Sequence, residues 1–127
     1  MSIFAIRSRR IPLVLAVEMF LQSKKFGGVL SSESSPGILK SVSKKGASII
    51  CNKMMLDGKH IFFNTQPGTD TYLLITGLPE DFPVGSVLAT TVWMDSCIYE
   101  ERPSFKLGVQ FLQEEKELFT YLKHHHS

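Results

Sequence analysis

Two clusters of polar residues in this sequence carry side chains suited to binding an anionic ligand. The first is basic and lies near the start of the chain, at Arg7, Arg9 and Arg10. An arginine fork matches the oxygens of a phosphate and also the O6/N7 edge of guanine. The second cluster is a polar turn with a hydroxyl or glycine at Ser41, Ser43 and Gly46. A serine hydroxyl can donate or accept, and glycine lets the backbone turn without a Cβ clash. These six are therefore the candidate ligand-binding residues.

The charge of the chain is distributed unevenly along the sequence. Residues 1–59 contain ten Lys or Arg and three acidic residues, whereas residues 60–127 contain four and nine, for a net charge of +2. An anion would be drawn to a surface built from the first half. If the strands of the two halves interleave, however, the halves need not form separate faces. The sequence leaves both arrangements open.

The elements that would position these clusters are mainly β-strands. Short runs rich in β-branched and aromatic residues, separated by turn signals, predict strands; they fall at 11–20, 28–30, 38–42, 47–52, 60–63, 72–75, 87–94 and 105–112. Turns are predicted at Pro36-Gly37, at 43–46 and at Asp57-Gly58, and a break at 100–103. The clearest alternation places Phe105, Leu107, Val109 and Phe111 on one face.

The end of the chain is predicted to be an amphipathic helix. Leu112, Leu118, Phe119 and Leu122 share one face at helical spacing, and acidic residues precede Lys123 as the helix dipole favours. Short strands followed by one helix indicate a β-barrel or curled sheet with a packed C-terminal helix. The predicted organisation is a basic arm at 1–10, a barrel at 11–112, a helix at 113–123 and a tail or tag remnant at 124–127.

The order of these segments resembles the PilZ domain family. That family has an Arg-x-x-x-Arg motif and then Asp/Asn-x-Ser-x-x-Gly, and Ser43 and Gly46 occupy the last two positions of the second motif. Residues 47–50, 56–58 and 107–112 resemble the strands and turn that follow, so the resemblance covers roughly 10–113. It implies a mainly β fold, a small six- to seven-stranded antiparallel β-barrel with a C-terminal α-helix. It also implies a bacterial receptor domain that binds the second messenger cyclic di-GMP and acts through a protein partner.

The chain departs from the family fingerprint at two points. Ser41 stands where the family has Asp or Asn, and the arginines are out of register: with Arg10 as the second arginine, the first falls on Ile6. With Arg7 as the first, the second falls on Ile11. One alternative is therefore a degenerate PilZ domain that binds no nucleotide and acts as a protein-interaction module. Another is a nucleic-acid-binding β-barrel, which the lack of interleaved aromatic residues makes less favoured.

Other residues give no indication of catalysis, of a metal site or of a cofactor. Cys51 and Cys97 lack metal-ligand spacing and are expected to be reduced. We expect His60 to be structural, and Trp93 to fill the barrel or pack under the helix, with base stacking as its alternative. No apolar run approaches the roughly 20 residues that span a bilayer, and Glu18 interrupts the longest. The expected location is therefore the cytoplasm, without membrane insertion.

Overall fold

The computed structural model describes residues 9–25, 27–31 and 33–125 and consists of eight strands and one helix. The strands are β1 (Ile11–Ser23), β2 (Ser35–Val42), β3 (Gly46–Cys51), β4 (Met55–Leu56), β5 (Lys59–His60), β6 (Thr71–Thr76), β7 (Val87–Tyr99) and β8 (Arg102–Phe111). Six of them close into an antiparallel barrel in the order β1-β2-β3-β8-β7-β6, and β4 and β5 form a separate hairpin. Helix α1 (Lys116–His125) follows the last strand. The predicted mainly β fold, a small antiparallel barrel with a C-terminal helix, is confirmed.

The interior of the barrel is filled by alternate residues of each strand. Ile49 of β3, Leu73 of β6 and Leu107 of β8 are completely buried. The alternation predicted for β8 is correct, because Leu107, Val109 and Phe111 all enter the core. Successive side chains of a strand point to opposite faces. The residues between these core positions therefore make up the outer surface of the barrel.

The turn signal at Pro36-Gly37 lies inside a strand in the structure. Pro36 and Gly37 belong to β2 and pair with Glu18 and Val17 of β1. A Cβ on Gly37 would lie 2.9 Å from the Ile49 side chain, so the glycine makes room for a core residue instead of forming a turn. The prediction of a turn at Pro36-Gly37 is therefore wrong, because tertiary packing overrides the local signal.

The strand ends also differ from the sequence prediction. The predicted break at 100–103 is a two-residue turn at Glu100 and Glu101, whose φ angles are 48° and 65°. Pro103 lies within β8 opposite Ile98, so β7 and β8 form one long hairpin. The strand predicted at 60–63 ends at His60, and residues 61–64 form turns.

Helix α1 begins at Lys116 and ends at His125, later at both ends than the predicted 113–123. Leu118 and Leu122 are its buried residues, and they join the core. The segment before the helix is attached to the turn between β2 and β3, because the Glu115 N–H donates to the Lys44 carbonyl at 2.8 Å. The helix in the described part of the chain is too short and polar to cross a membrane.

The topology settles how the basic first half of the sequence is arranged. β1, β2 and β3 are consecutive neighbours in the barrel, so the first half forms one continuous part of its wall. Its charged side chains at Arg10, Lys40, Lys44 and Lys45 therefore lie on or beside three adjacent strands. The two halves of the sequence do not interleave strand by strand, and the charge asymmetry becomes a spatial one.

Candidate functional site

The turn between β2 and β3 is built around the Ser43 side chain. Ser43 Oγ accepts the N–H groups of Lys45 at 3.2 Å and Gly46 at 3.1 Å, and the Ser43 N–H donates to the Gly46 carbonyl at 2.8 Å. The residue is only 3% exposed. A serine hydroxyl that satisfies its own backbone is typical of a tight polar turn. The Ser43 hydroxyl thus shapes the turn and leaves Lys44 and Lys45 exposed at its tip.

Gly46 has a packing reason to be glycine. A Cβ at this position would lie 2.1 Å from the Val109 carbonyl oxygen, far inside van der Waals contact. Gly46 begins β3 and pairs with Gln110 of β8. The absence of a side chain therefore lets β3 and β8 approach closely where the ladder starts. The structure requires this glycine for strand contact, since its φ is not among the positive ones.

Three side chains form a hydrogen-bonded chain on the outer surface next to this turn. Arg10 Nη1 donates to Ser41 Oγ at 3.2 Å, and Ser41 Oγ lies 2.7 Å from Ser48 Oγ. Ser48 is 4% exposed, whereas Ser41 is half-buried and Arg10 is exposed. Ser48 therefore positions Ser41, which in turn orients the guanidinium group. Within the described part of the chain, this bond to Ser41 is the recorded hydrogen bond of the guanidinium group, which carries five N–H donors in all.

Ser41 and Ser48 belong to a row of cross-strand paired residues that crosses five strands. Pro12 pairs with Ser41, Ser41 with Ser48, Ser48 with Gly108, and Gly108 with Trp93. Cross-strand partners point to the same face of a sheet. We call the surface formed by Arg10, Ser41, Ser48, Gly108 and Trp93 the outer-face row. It lies on the outside of the barrel, opposite the core residues.

Trp93 lies on this outer surface and not in the barrel or under the helix, so that prediction is wrong. A β-bulge between Thr91 and Trp93 shifts the register of β7. The indole lies directly over Gly108, where an added Cβ would come within 2.0 Å of Trp93 Nε1. Trp93 keeps 37% of its surface exposed. Along the barrel wall, Gly108 is two strands from Ser41, with β3 between them.

The electrostatics around the outer-face row are basic. Arg9 and Arg10 are exposed, and neither forms an ion pair with any residue that the structure describes. Lys40 lies further along the same face, with its Nζ 5.2 Å from the centroid of the Tyr99 ring. The guanidinium groups suit a phosphate, and the exposed indole further round the barrel wall suits a flat base.

The structure brings two of the sequence-predicted site residues into contact and gives two others structural roles in the adjoining turn. Arg10 and Ser41 are in contact, and Arg9 precedes them at the start of β1. Ser43 and Gly46 lie in the adjoining turn, with their polar and steric functions used by the fold. Arg7 lies outside the described residues.

Two further residues of the site, Ser48 and Trp93, were not among the predicted ligand-binding residues. Ser48 follows Ser41 across a hairpin, and the pairing of β2 with β3 would have placed the two opposite each other. Trp93 was considered for stacking, but its position could not be read because the bulge in β7 reverses which side chains face outward. The glycine at 108 was the available signal, since it marks close approach within a strand.

The other candidate residues have structural roles. His60 Nδ1 accepts the N–H groups of Phe62 and Phe63, both at 3.1 Å, and burial lowers its pKa. Burial also raises the pKa of the Cys51 thiol to about 11, whereas Cys97 is half-buried. No three His, Cys, Asp or Glu side chains in the described ranges are grouped to hold a metal ion.

Comparison with known proteins gives one similarity, at the level of structure. No protein-family model and no curated protein matches the sequence. The fold is similar to that of the PlzA protein of Borreliella burgdorferi, solved in complex with c-di-GMP, with a TM-score of 0.50 and 10% sequence identity. The similarity covers 93% of this chain and 49% of the PlzA chain, so this chain spans about half the length of that protein. At this identity the similarity shows a shared fold, which is PilZ-like.

Proposed function

We propose that this chain is a PilZ-like receptor domain that binds cyclic di-GMP on the outer-face row of its barrel. The observation that carries the proposal is the hydrogen-bonded chain from Arg10 through Ser41 to Ser48, which ends two strands away from the exposed Trp93. The domain would act as a regulatory module in bacterial second-messenger signalling, in the cytoplasm, and pass the signal to a protein partner.

The chemistry of the ligand matches the side chains available. Cyclic di-GMP has two phosphates and two guanines. Arg10 and Arg9 can each present a guanidinium fork to a phosphate or to a guanine edge. Trp93 offers an indole face on which a guanine can stack. Lys44 and Lys45, exposed at the neighbouring turn, add positive charge without the geometry of a fork.

The fold similarity supports the same ligand. The PlzA structure was determined with c-di-GMP bound, and PlzA is a PilZ-domain protein. In this chain the residues of the resembling fingerprint lie at the β2–β3 turn, beside the guanidinium groups that would hold phosphate. The proposal therefore joins a shared architecture to the hydrogen-bonded cluster of Arg10, Ser41 and Ser48.

The direct test is titration of the protein with cyclic di-GMP by calorimetry, comparing wild type with Arg10→Ala. Loss of one hydrogen bond to a charged group costs on the order of 1.5–3 kcal/mol, which weakens binding roughly ten- to hundredfold. Lys25→Ala is the matched control, because Lys25 is exposed beyond the other end of β1 and its removal changes the net charge equally. Equal affinity of the two variants would contradict a specific role for Arg10.

Trp93 gives a second readout of the same site. Stacking of a base on an aromatic side chain contributes about 1–3 kcal/mol, so Trp93→Phe should keep most of the affinity and Trp93→Ala should lose tenfold or more. Trp93 is the single tryptophan of the chain, and its fluorescence reports ligand at this face directly. Titration without any change in its emission would place the ligand elsewhere.

Ser41→Asp tests the departure from the family fingerprint. The carboxylate would restore an acceptor with two oxygens beside Arg10 and Ser48. We expect this variant to bind cyclic di-GMP more tightly than wild type. An unchanged affinity in a folded variant would argue against this binding geometry.

The second candidate is a PilZ-like module that binds no nucleotide and contacts another protein. Its supporting observation is that the Ser43 hydroxyl, part of the family fingerprint, is buried and committed to its own turn. Absence of heat with cyclic di-GMP at millimolar ligand would favour this function. Binding of single-stranded oligonucleotides that weakens steeply with salt would instead favour the nucleic-acid barrel.

A further inference from the structure

The β7–β8 hairpin extends beyond the β6 pairing and leaves one edge of β7 with no backbone partner among the residues that the structure describes. β6 pairs with β7 only from Val87 to Ala89, whereas β8 pairs with it as far as Tyr99. The next contact on the open side is the Thr91 N–H, which donates to the Thr65 carbonyl at 2.9 Å. Beyond Thr91, the described residues supply no backbone partner to this edge. We call residues 92–99 of β7 the open edge.

Strand geometry determines which backbone groups the open edge presents. The pair that flanks a two-residue turn exchanges both hydrogen bonds, here Tyr99 and Arg102. Tyr99 and every second residue before it therefore bond to β8. The residues between them, Met94, Ser96 and Ile98, have N–H and C=O groups that point away from β8. The six groups are donors and acceptors in the alternation that another antiparallel strand would pair.

The open edge lacks the usual features that protect an exposed strand. It contains no proline and no lysine, and Asp95 is its one charged residue. Ile98 is 71% exposed, and Val92 is 43% exposed. A shallow, largely apolar pocket lies between β7 and β8 at the same end of the hairpin, lined by Ile98, Pro103 and Phe105 among others. Natural edges of this length are normally blocked by charge, proline or a covering element.

We propose that the open edge of β7 pairs with the same edge of a second copy of this chain, about a two-fold axis at Ser96. In that register Ser96 lies opposite its own equivalent, and Met94 lies opposite Ile98 of the other copy. All six outward backbone groups are then paired, giving six hydrogen bonds. Two eight-residue edges become the centre of one continuous sheet across two barrels.

Charge and side-chain complementarity favour this register and this occupant. A two-fold axis at Asp95 would set two carboxylates directly opposite each other, which is destabilising. The axis at Ser96 instead places Asp95 opposite Cys97 and Trp93 opposite Tyr99, an aromatic pair. It also covers Ile98 with Met94. An isologous contact brings the same surface of both copies together, and the register at Ser96 does so without opposing like charges.

The first test is the mass of the wild-type protein by sedimentation equilibrium between about 1 μM and 1 mM, the range of weak to moderate dissociation constants. We expect the mass to rise with concentration toward twice that of the chain. Ser96→Pro removes an outward N–H without affecting the bonds to β8, and Ile98→Lys adds charge at an exposed position. Both should abolish the rise. Val14→Lys, at a site 69% exposed on β1, is the matched control and should not.

Cysteine cross-linking tests the register. In a Cys97→Ala background, Ser96→Cys should form an intermolecular disulfide on mild oxidation, because directly opposed residues of a hydrogen-bonded pair have Cα atoms about 5.5 Å apart. Val14→Cys in the same background should not cross-link. A wild-type protein that stays monomeric over the whole range overturns the proposal, as does a dimer that survives both edge substitutions. An edge that captures extended peptides while the protein remains monomeric would assign the surface to a different partner and also refute self-association.

Discussion

Replacement of Gly46 by alanine tests whether the glycine after the β2–β3 turn is required for the close approach of β3 to β8. The added Cβ would lie 2.1 Å from the Val109 carbonyl oxygen, 0.9 Å short of the 3.0 Å below which such contacts are essentially not observed. The neighbour is backbone, which cannot rotate away as a flexible side chain could. β3 and β8 must therefore separate where Gly46 pairs with Gln110.

The size of the effect follows from three terms. Overpacking in a tight site costs about 1–3 kcal/mol, and loss of one ladder hydrogen bond costs about 0.5–1.5 kcal/mol. The lower chain entropy of unfolded alanine returns about 0.4–1 kcal/mol. We therefore expect Gly46→Ala to lower the free energy of unfolding by about 2–3 kcal/mol, which for a domain of this size lowers Tm by roughly 10 °C.

The measurement is unfolding by urea and by heat, followed by circular dichroism. Gly85→Ala is the matched control, because no atom lies within 4 Å of its added Cβ and its φ is not positive. We expect that variant to change stability by less than about 0.5 kcal/mol. If Gly46→Ala is as stable as Gly85→Ala, the close approach of β3 to β8 is not what requires glycine, and the reasoning from the contact fails.

Three further predictions concern stability and reactivity. In the folded protein Cys97 should react with a thiol reagent. Cys51 should react only on unfolding, because burial raises the pKa of its thiol to about 11. Equal reaction rates of the two thiols would refute the burial of Cys51. The free energy of unfolding should fall as pH drops below the ordinary histidine pKa, because burial lowers the pKa of folded His60 and the unfolded state then binds more protons. His60→Asn should flatten this part of the pH profile. An unchanged slope would assign the pH dependence to other groups. Leu122→Ala should destabilise the protein by about 2–5 kcal/mol, because Leu122 is completely buried, and a change under about 1 kcal/mol would show that α1 is not part of the core.

Much of the fold could be predicted because its signals are local. The alternation at 105–112 identified β8 and its inward residues, and Asp57-Gly58 identified the turn between β4 and β5. Burial on one face imposes a period of two on a strand wherever it occurs. The fold class followed from counting such segments and finding a helical pattern only at the end.

Predictions failed where a local signal competed with packing. Pro36-Gly37 has the composition of a turn, yet Gly37 sits in a strand because the Ile49 side chain needs its space. The two-residue turn at Glu100-Glu101 lacks the glycine or asparagine that usually marks such turns. At Gly37 the decisive neighbour is distant in sequence, and at Glu100-Glu101 the residue types are atypical of the turn.

By itself the sequence determined that this chain is a mainly β domain with a terminal helix. It also identified two clusters of candidate ligand-binding residues: Arg7, Arg9 and Arg10, and Ser41, Ser43 and Gly46. The tertiary structure decided how these residues divide. Strand pairing places Arg10 and Ser41 on an outer face with Trp93, whereas Ser43 and Gly46 are used by a turn and a close strand contact. The physical reason is that residue type fixes what a side chain can bind, but only pairing register and bulges fix which face it occupies.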